Sequence, residues 1–303
     1  MPIPLGILAV AGAGIAPSAA NRGVFGSGNA PSVTNTITYI DISTTGNAQD
    51  FGDLTQARQS AAACSSSTRG CWGGGYSGAY VNTIDFVTIA TTGNATDFGD
   101  MTSARNAAGG CGNSTRGIFA GGNNPGNTST IDFISIATTG NALTFGNLTT
   151  GAHFNPACAS TTRGVIGVAN ANKRIEFVTI ATTGNALEFG FLPDDPYGMS
   201  GASNATRGVF AGAVDNRSKI QFFTIATTGN STEFGNLSVA RYGSAGAASS
   251  TRAVFCGGID TNDSRGNVID FITIATTGNA VDFGDNTIVV SEVNGLSDSH
   301  GGL

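Results

Sequence analysis

Apolar positions along this chain never recur with a helical period. They come in short runs broken by clusters of Gly, Ser, Thr and Asn. Residues 83–89, TIDFVTI, are rich in β-branched and aromatic residues, as suits a strand on a half-buried sheet. The neighbouring segments complete a unit. Residues 58–64, RQSAAAC, form a small-residue run (strand a), and residues 70–73 form a short apolar strand ending in glycine (strand b). TIDFVTI is strand c. The turn ATTGNA supplies the polar and glycine chemistry that positive φ requires, and TDFGDM is strand d. The pattern predicts four short strands per unit and no helix.

The unit is repeated. TTGN begins at Thr44, Thr91, Thr138, Thr182, Thr227 and Thr276, at spacings of 47, 47, 44, 45 and 49 residues. An F-G pair follows each time, at Phe51, Phe98, Phe145, Phe189, Phe234 and Phe283. An arginine precedes each strand b: Arg22, Arg69, Arg116, Arg163, Arg207 and Arg252. Three landmarks holding one phase through six copies predict an all-β chain that closes as a six-bladed β-propeller of four-stranded antiparallel blades. Runs such as AAAC and NAAGGC suit an inner strand crowded at the axis, whereas Phe and Ile fall on strands b and c, where blades pack. The six repeats occupy 19–285. Residues 1–18 form an apolar arm or a first inner strand, and 286–303 a closing strand and tail. Two runs compete to close blade one, Ile7–Ala16 and Thr287–Val293. The second, being more β-branched, is favoured, which frees the N-terminal arm to insert into a partner.

Alternation of hairpins puts the a–b and c–d turns on one face of the ring and the b–c and d–a loops on the other. The first set are near copies, S-T-R-G and A-T-T-G-N-A. The second set differ from blade to blade, with an expanded FLPDDPYGM at 191–199. Varied loops on a rigid scaffold are where recognition sits. Tyr76, Tyr80, Phe154, Tyr197 and Tyr242 fall in or beside those loops, with Asp194 and Asp195 unique to one of them. Aromatic rings beside polar groups suit a sugar- or protein-binding surface, so these seven are the candidate ligand-binding residues. Trp72 aligns with Phe25, Phe119, Phe210 and Phe255 and reads as core. The six repeated arginines read as structural, with Asp50, Asp97, Glu188, Glu233 and Asp282 as expected partners.

Composition narrows the function. Gly is 45 of 303, about twice the usual ~7%, and charged residues are 11% against an ordinary ~25%. Net charge is −6 and the only lysines are Lys173 and Lys219, so no basic stripe exists for nucleic acid or anionic lipid. The apolar run 3–15 is too short to span a bilayer, and it lacks the positive flank of a secretion signal. His153 and His300 are the only histidines, and the five cysteines read as small buried fillers. No nucleophile–base set, catalytic residue, metal site or cofactor is expected.

The unit resembles the kelch family. Arg105 with Asn106–Cys111, then Ile118-Phe119-Ala120-Gly121-Gly122, then Ile131-Asp132-Phe133, then Thr144-Phe145 follow that motif, with Phe145 where kelch carries an outer-strand Trp. Repeats of the form TRGVFAGG…TIDFVTIATTGNATDFGDLT, and the opening PIPLGILAVAGAG, also look like virion structural proteins of tailed phages, particularly marine ones. That resemblance implies a non-enzymatic structural protein of a phage particle, tail-associated or fibre-like. It would be mounted on other virion proteins through its N-terminal arm, with a propeller face for a host-surface glycan or protein. The alternatives are a non-viral kelch-type interaction scaffold and a polysaccharide-acting enzyme.

Overall fold

Every repeat folds as one four-stranded antiparallel sheet, and six such sheets stand around a common axis. The computed structural model describes residues 21–169 and 172–303; the arm expected at 1–18 lies outside them. Among the described residues there is no helix. Blade two shows the plan: Ala62–Ser65 lies innermost, followed by Arg69–Gly73, Thr83–Thr88 and, outermost, Thr96–Asp100. These four positions are strands a to d in every blade.

The inner strands are small because each abuts its neighbour's backbone. A methyl group on Gly110, Gly201 or Gly246 would overlap the backbone of Ala63, Ala157 or Gly201 in the preceding blade. Between blades, strands b and c bury their large side chains in six apolar clusters, one per interface. Trp72 is fully buried in one of them, and its indole N–H donates to the Asn294 carbonyl at 3.3 Å. The Phe of each F-G pair reaches this core through a bulge. In blade two Ile84 faces Gly99 and Asp85 faces Asp97, so Phe98 is left without a cross-strand partner and turns inward, 2% exposed.

TTGN and F-G are two halves of one inter-blade clamp. The Gly93 N–H donates to the Phe51 carbonyl of the preceding blade (2.7 Å), and Ala95 donates to Asp53 (2.7 Å). The Asn94 side-chain oxygen accepts the Asp53 N–H at 3.0 Å. The same three contacts recur around the ring. At the last junction Gly46 donates to Phe283, Ala48 to Asp285, and Asn47 accepts from Asp285. The outer edge of each blade is thereby covered by the next one, which removes a template for unwanted strand pairing.

The repeated arginine completes the clamp and corrects one expectation. Asp50, Asp97, Glu188, Glu233 and Asp282 do not pair with it; they point to solvent, Glu188 meeting Arg174 and Glu233 meeting Lys219. Arg69 instead lies over Phe86 of its own blade, 4.7 Å from the ring centre. It donates to the Ile136 and Ala137 carbonyls of the next blade at 3.1 and 2.8 Å. Arg22, Arg116, Arg163, Arg207 and Arg252 stack in the same way on Tyr39, Phe133, Phe177, Phe222 and Phe271. A guanidinium can stack and donate in-plane at once, which an ammonium cannot.

A second, irregular arginine set lies on the opposite face. Arg58, Arg105 and Arg241 are fully buried and pair with the strand-c acids Asp85, Asp132 and Asp270, each at 2.9 Å. Burial pulls the Arg58 and Arg105 guanidinium pKa values down, and the paired carboxylates oppose that shift. Asp85 also accepts from the Thr55 N–H and hydroxyl. Such pairs fix loop register more than they add stability. They anchor the d–a loops just before those loops reach the axis.

The ring is sealed by the C-terminal strand Asn294–Ser297, which pairs with Arg22–Gly26 as strand a of blade one. The run expected to do this, 287–293, does something else: residues through Val290 prolong strand d of blade six. Closure therefore draws blade one from both ends of the described chain.

The clamp predicts a position-specific cost. Gly99 has φ +141°, and a methyl group there would stand 2.6 Å from the Gly140 carbonyl. Gly99→Ala should destabilise the chain by roughly 1–3 kcal/mol in equilibrium unfolding. Gly126→Ala, on an open loop with no atom within 4 Å, should change stability by no more than about 0.5 kcal/mol. Equal effects at the two sites would refute the clamp.

Candidate functional site: the axial mouth of the varied face

Each d–a loop ends with one residue at positive φ just before strand a: Ser60, Ala107, Phe154, Gly198, Gly243 and Glu292, with φ between 53° and 76°. That conformation aims each N–H at the previous blade. Ser60 donates to Glu292 (3.0 Å), Ala107 to Ser60 (2.8 Å), and Phe154 to Ala107 (2.7 Å). Gly198 donates to Phe154 (3.2 Å), Gly243 to Gly198 (2.8 Å), and Glu292 to Gly243 (2.8 Å). The six backbone bonds form a closed hexagon around the axis. Four of its members are not glycine, and each holds a left-handed conformation that costs an ordinary residue about 1–3 kcal/mol. Only the surrounding ring can hold them there.

Side chains on this hexagon are unequal. Phe154 is its one aromatic member and Glu292 its one acid. Three steps separate them either way, so they stand diametrically opposed. Gly198 and Gly243 leave one flank open, and Ser60 and Ala107 keep the other low. Both Phe154 and Glu292 border the same axial cavity.

Phe154 belongs to an aromatic group. Its ring centre lies 5.1 Å from Tyr197 and 5.4 Å from His153, and His153 lies 5.2 Å from Tyr197 in edge-to-face contact. The Tyr197 hydroxyl is 3.5 Å from His153 Nε2. Burial lowers the His153 pKa and raises that of Tyr197, and the nearby Glu292 carboxylate raises the latter further. Tyr242 lies against Gly198, one ring face covered by Arg217 at 4.8 Å. Opposite, Glu292 Oε2 accepts from Gln59 Nε2 at 2.9 Å and from the Ser60 hydroxyl at 2.5 Å, while Gln59 is held by Asn29 at 2.8 Å.

The structure thus brings together Phe154, Tyr197 and Tyr242 from the sequence-derived set. It places the others elsewhere. Tyr76 and Tyr80 pack edge-to-face at 5.5 Å within the b–c loop of blade two, and the Tyr80 hydroxyl donates to Asn123. Among the described residues no ring contact joins that pair to the Phe154 group. Asp194 and Asp195 serve their own loop: Asp195 caps the Tyr197 N–H at 3.1 Å, and Asp194 accepts from Asn216 at 3.3 Å. Burial raises the Asp195 pKa. Glu292, Gln59, Ser60 and His153 were not singled out as site residues by sequence. Carrying the repeat register one blade further would have aligned Glu292 with Ser60 and Phe154, but the run 287–293 reads locally as a strand.

The far end of the axis is stoppered by the C-terminal tail. The Gly301 N–H donates to Ser203, and His300 Nε2 donates to the Ser65 carbonyl at 3.1 Å, while His300 Nδ1 accepts the Gly302 N–H at 3.0 Å. Both ring nitrogens are thus committed to the neutral tautomer, and burial lowers the pKa to about 4. Between tail and hexagon the axis is lined by the small inner strands and leaves room of about 50 Å³, far below the ~300–1,000 Å³ of ordinary ligand pockets. The cavity bordered by Phe154 and Glu292 is of the same size, about 50 Å³, so a sugar-sized ligand would rest across the mouth without being enclosed.

The five cysteines are buried and free. Burial pushes the Cys111 and Cys256 thiols up to about 12, and Cys64, facing Cys71 across the first hairpin of blade two, is raised by its hydrogen bond to that thiol. No group of three His, Cys, Asp or Glu among the described residues is arranged to hold a metal. No protein-family model matches the chain, and no curated protein matches it either.

The tail generates a pH prediction. The folded-state pKa of His300 lies below its unfolded value of about 6.5, so the unfolded chain binds the extra proton first. The stability that the docked imidazole contributes is present above pH ~6.5 and is lost as pH falls toward 4. Melting temperatures of wild type and His300→Ala should differ at pH 7 and converge near pH 4. A difference that stays constant across this window would contradict the assignment.

Proposed function

We propose that this chain is a non-enzymatic structural and recognition protein of a phage particle, tail-associated or fibre-like. Its varied face would bind a glycan of the host surface, and its uniform face and N-terminal arm would mount it on other virion proteins. The likeness of the repeat to virion structural proteins supports the setting. One observation carries the recognition half: an aromatic group stands across the axial mouth from a carboxylate flanked by amide and hydroxyl groups. Aromatic faces pack on the apolar faces of sugar rings, and the polar groups opposite fix orientation by hydrogen bonds. The uniform turns have little left to offer a soluble ligand, because clamp contacts already use their polar backbone. A protein on the host surface is the other candidate partner.

A glycan array probed with wild type, Phe154→Ala and Tyr197→Ala tests the reading. Wild type should select a defined set of glycans. Each variant should lose binding about tenfold or more, the roughly 1–2 kcal/mol loss expected when an aromatic anchor is truncated. Melting temperatures within a few degrees of wild type would show that the fold is intact. Binding unchanged in both variants, or no glycan selected, would overturn it.

A further inference from the structure

Glu292 is a carboxylate without a counter-ion. Its Oε2 takes two donors, Gln59 Nε2 and the Ser60 hydroxyl, and among the described residues no Lys, Arg or His lies within ion-pair distance of it. The arginines nearest the mouth are spent. Arg58 and Arg241 are locked to Asp85 and Asp270, and Arg217 is tied to Asp263 at 3.2 Å and to the Asp260 carbonyl. Lys173 is tied to the Pro193 carbonyl at 2.7 Å and faces Asp195, and the other charges on the two adjoining loops, Asp194 and Asp215, are acids. Both donors to Glu292 converge on Oε2, and Gly198 and Gly243 leave one flank of the mouth without side chains. A neutral ligand seated on the mouth would strip water from this half-buried carboxylate and return no charge, which is a penalty against it. A ligand bearing a cation would remove that penalty and gain attraction to the faces of Phe154 and Tyr197 opposite.

We propose that the axial mouth selects a saccharide unit carrying a protonated primary amine. Phe154 and Tyr197 form the platform for the sugar ring, and Glu292, held by Gln59 and Ser60, is the counter-charge for its ammonium group. This rests on the glycan reading above and narrows it to amino sugars with a free amine. An N-acetylated sugar presents the same ring without the charge and is the matched control.

Isothermal titration at pH 6 of the full chain with the glucosamine tetrasaccharide and with its fully N-acetylated counterpart tests the proposal. Wild type should bind the free amine about tenfold more tightly. Glu292→Gln, which keeps shape and hydrogen bonding, should abolish that preference, weakening the free amine and bringing both sugars to about the same affinity. Phe154→Ala should weaken both. The chain is acidic overall, at −6, so non-specific attraction of the amine must be told apart. Such attraction would survive Glu292→Gln, and its survival would overturn the proposal. Equal wild-type affinity for both sugars would sink the ammonium claim while leaving the glycan reading in place. If neither sugar binds, the proposal fails, and the array alone decides the broader reading.

Discussion

Each TTGN turn is gripped from two sides by the blade before it, and the rest of the molecule is arranged around that grip. Strand d of the preceding blade pairs with the turn's backbone, and the strand-b arginine caps the carbonyls at its start. The close approach demands glycine where F-G meets the turn, so a side chain at Gly99 would strike the backbone of Gly140. Because the same residues make the same contacts at six junctions, this face cannot vary without loosening the ring. The three landmarks of the repeat are one interaction written in three places.

That commitment frees the other face. Its loops are fixed by a sparser set of anchors, the buried Arg58, Arg105 and Arg241 pairs, and blades that lack them are the ones that changed. Ala152 and Pro196 stand where the arginine would be, and the loops that follow carry His153, Phe154 and Tyr197. In blade four Glu176 stands at the strand-c acid position, accepts from Thr149, and has Arg174 at 3.9 Å in place of the missing guanidinium. Val290 makes a third such replacement, and the loop it ends carries Glu292, so both the aromatic and the acidic pole of the mouth fall on blades whose arginine anchor was replaced.

Much of this was legible in the chain. Sixfold phase gave the architecture, the small residues of strand a marked the axis, and the contrast between constant and varied loops separated the two faces. Other features were hidden for physical reasons. Asp97 and its equivalents look like partners of the repeated arginine because they recur with it, yet a strand bulge turns Phe98 inward and leaves the acid outside. Stacking on Phe86 carries no charge signature in sequence. Glu292 sits in a β-branched run that reads as a closing strand, and only the closed ring sets it opposite Phe154, over a hundred positions away in the chain. His300 stands in a Gly-rich tail with nothing in the repeat to align it. Glycine there serves close packing, since only a bare backbone fits beside Gly112 and Asn204 at the axis.

Amide hydrogen exchange with and without the selected glycan tests the division of labour between the faces most directly. Added protection should appear in peptides containing Ser60, Phe154, Gly198 and Glu292, with no change at the TTGN turns. Protection spread over those turns, or confined to the outer rim of the blades, would contradict the account.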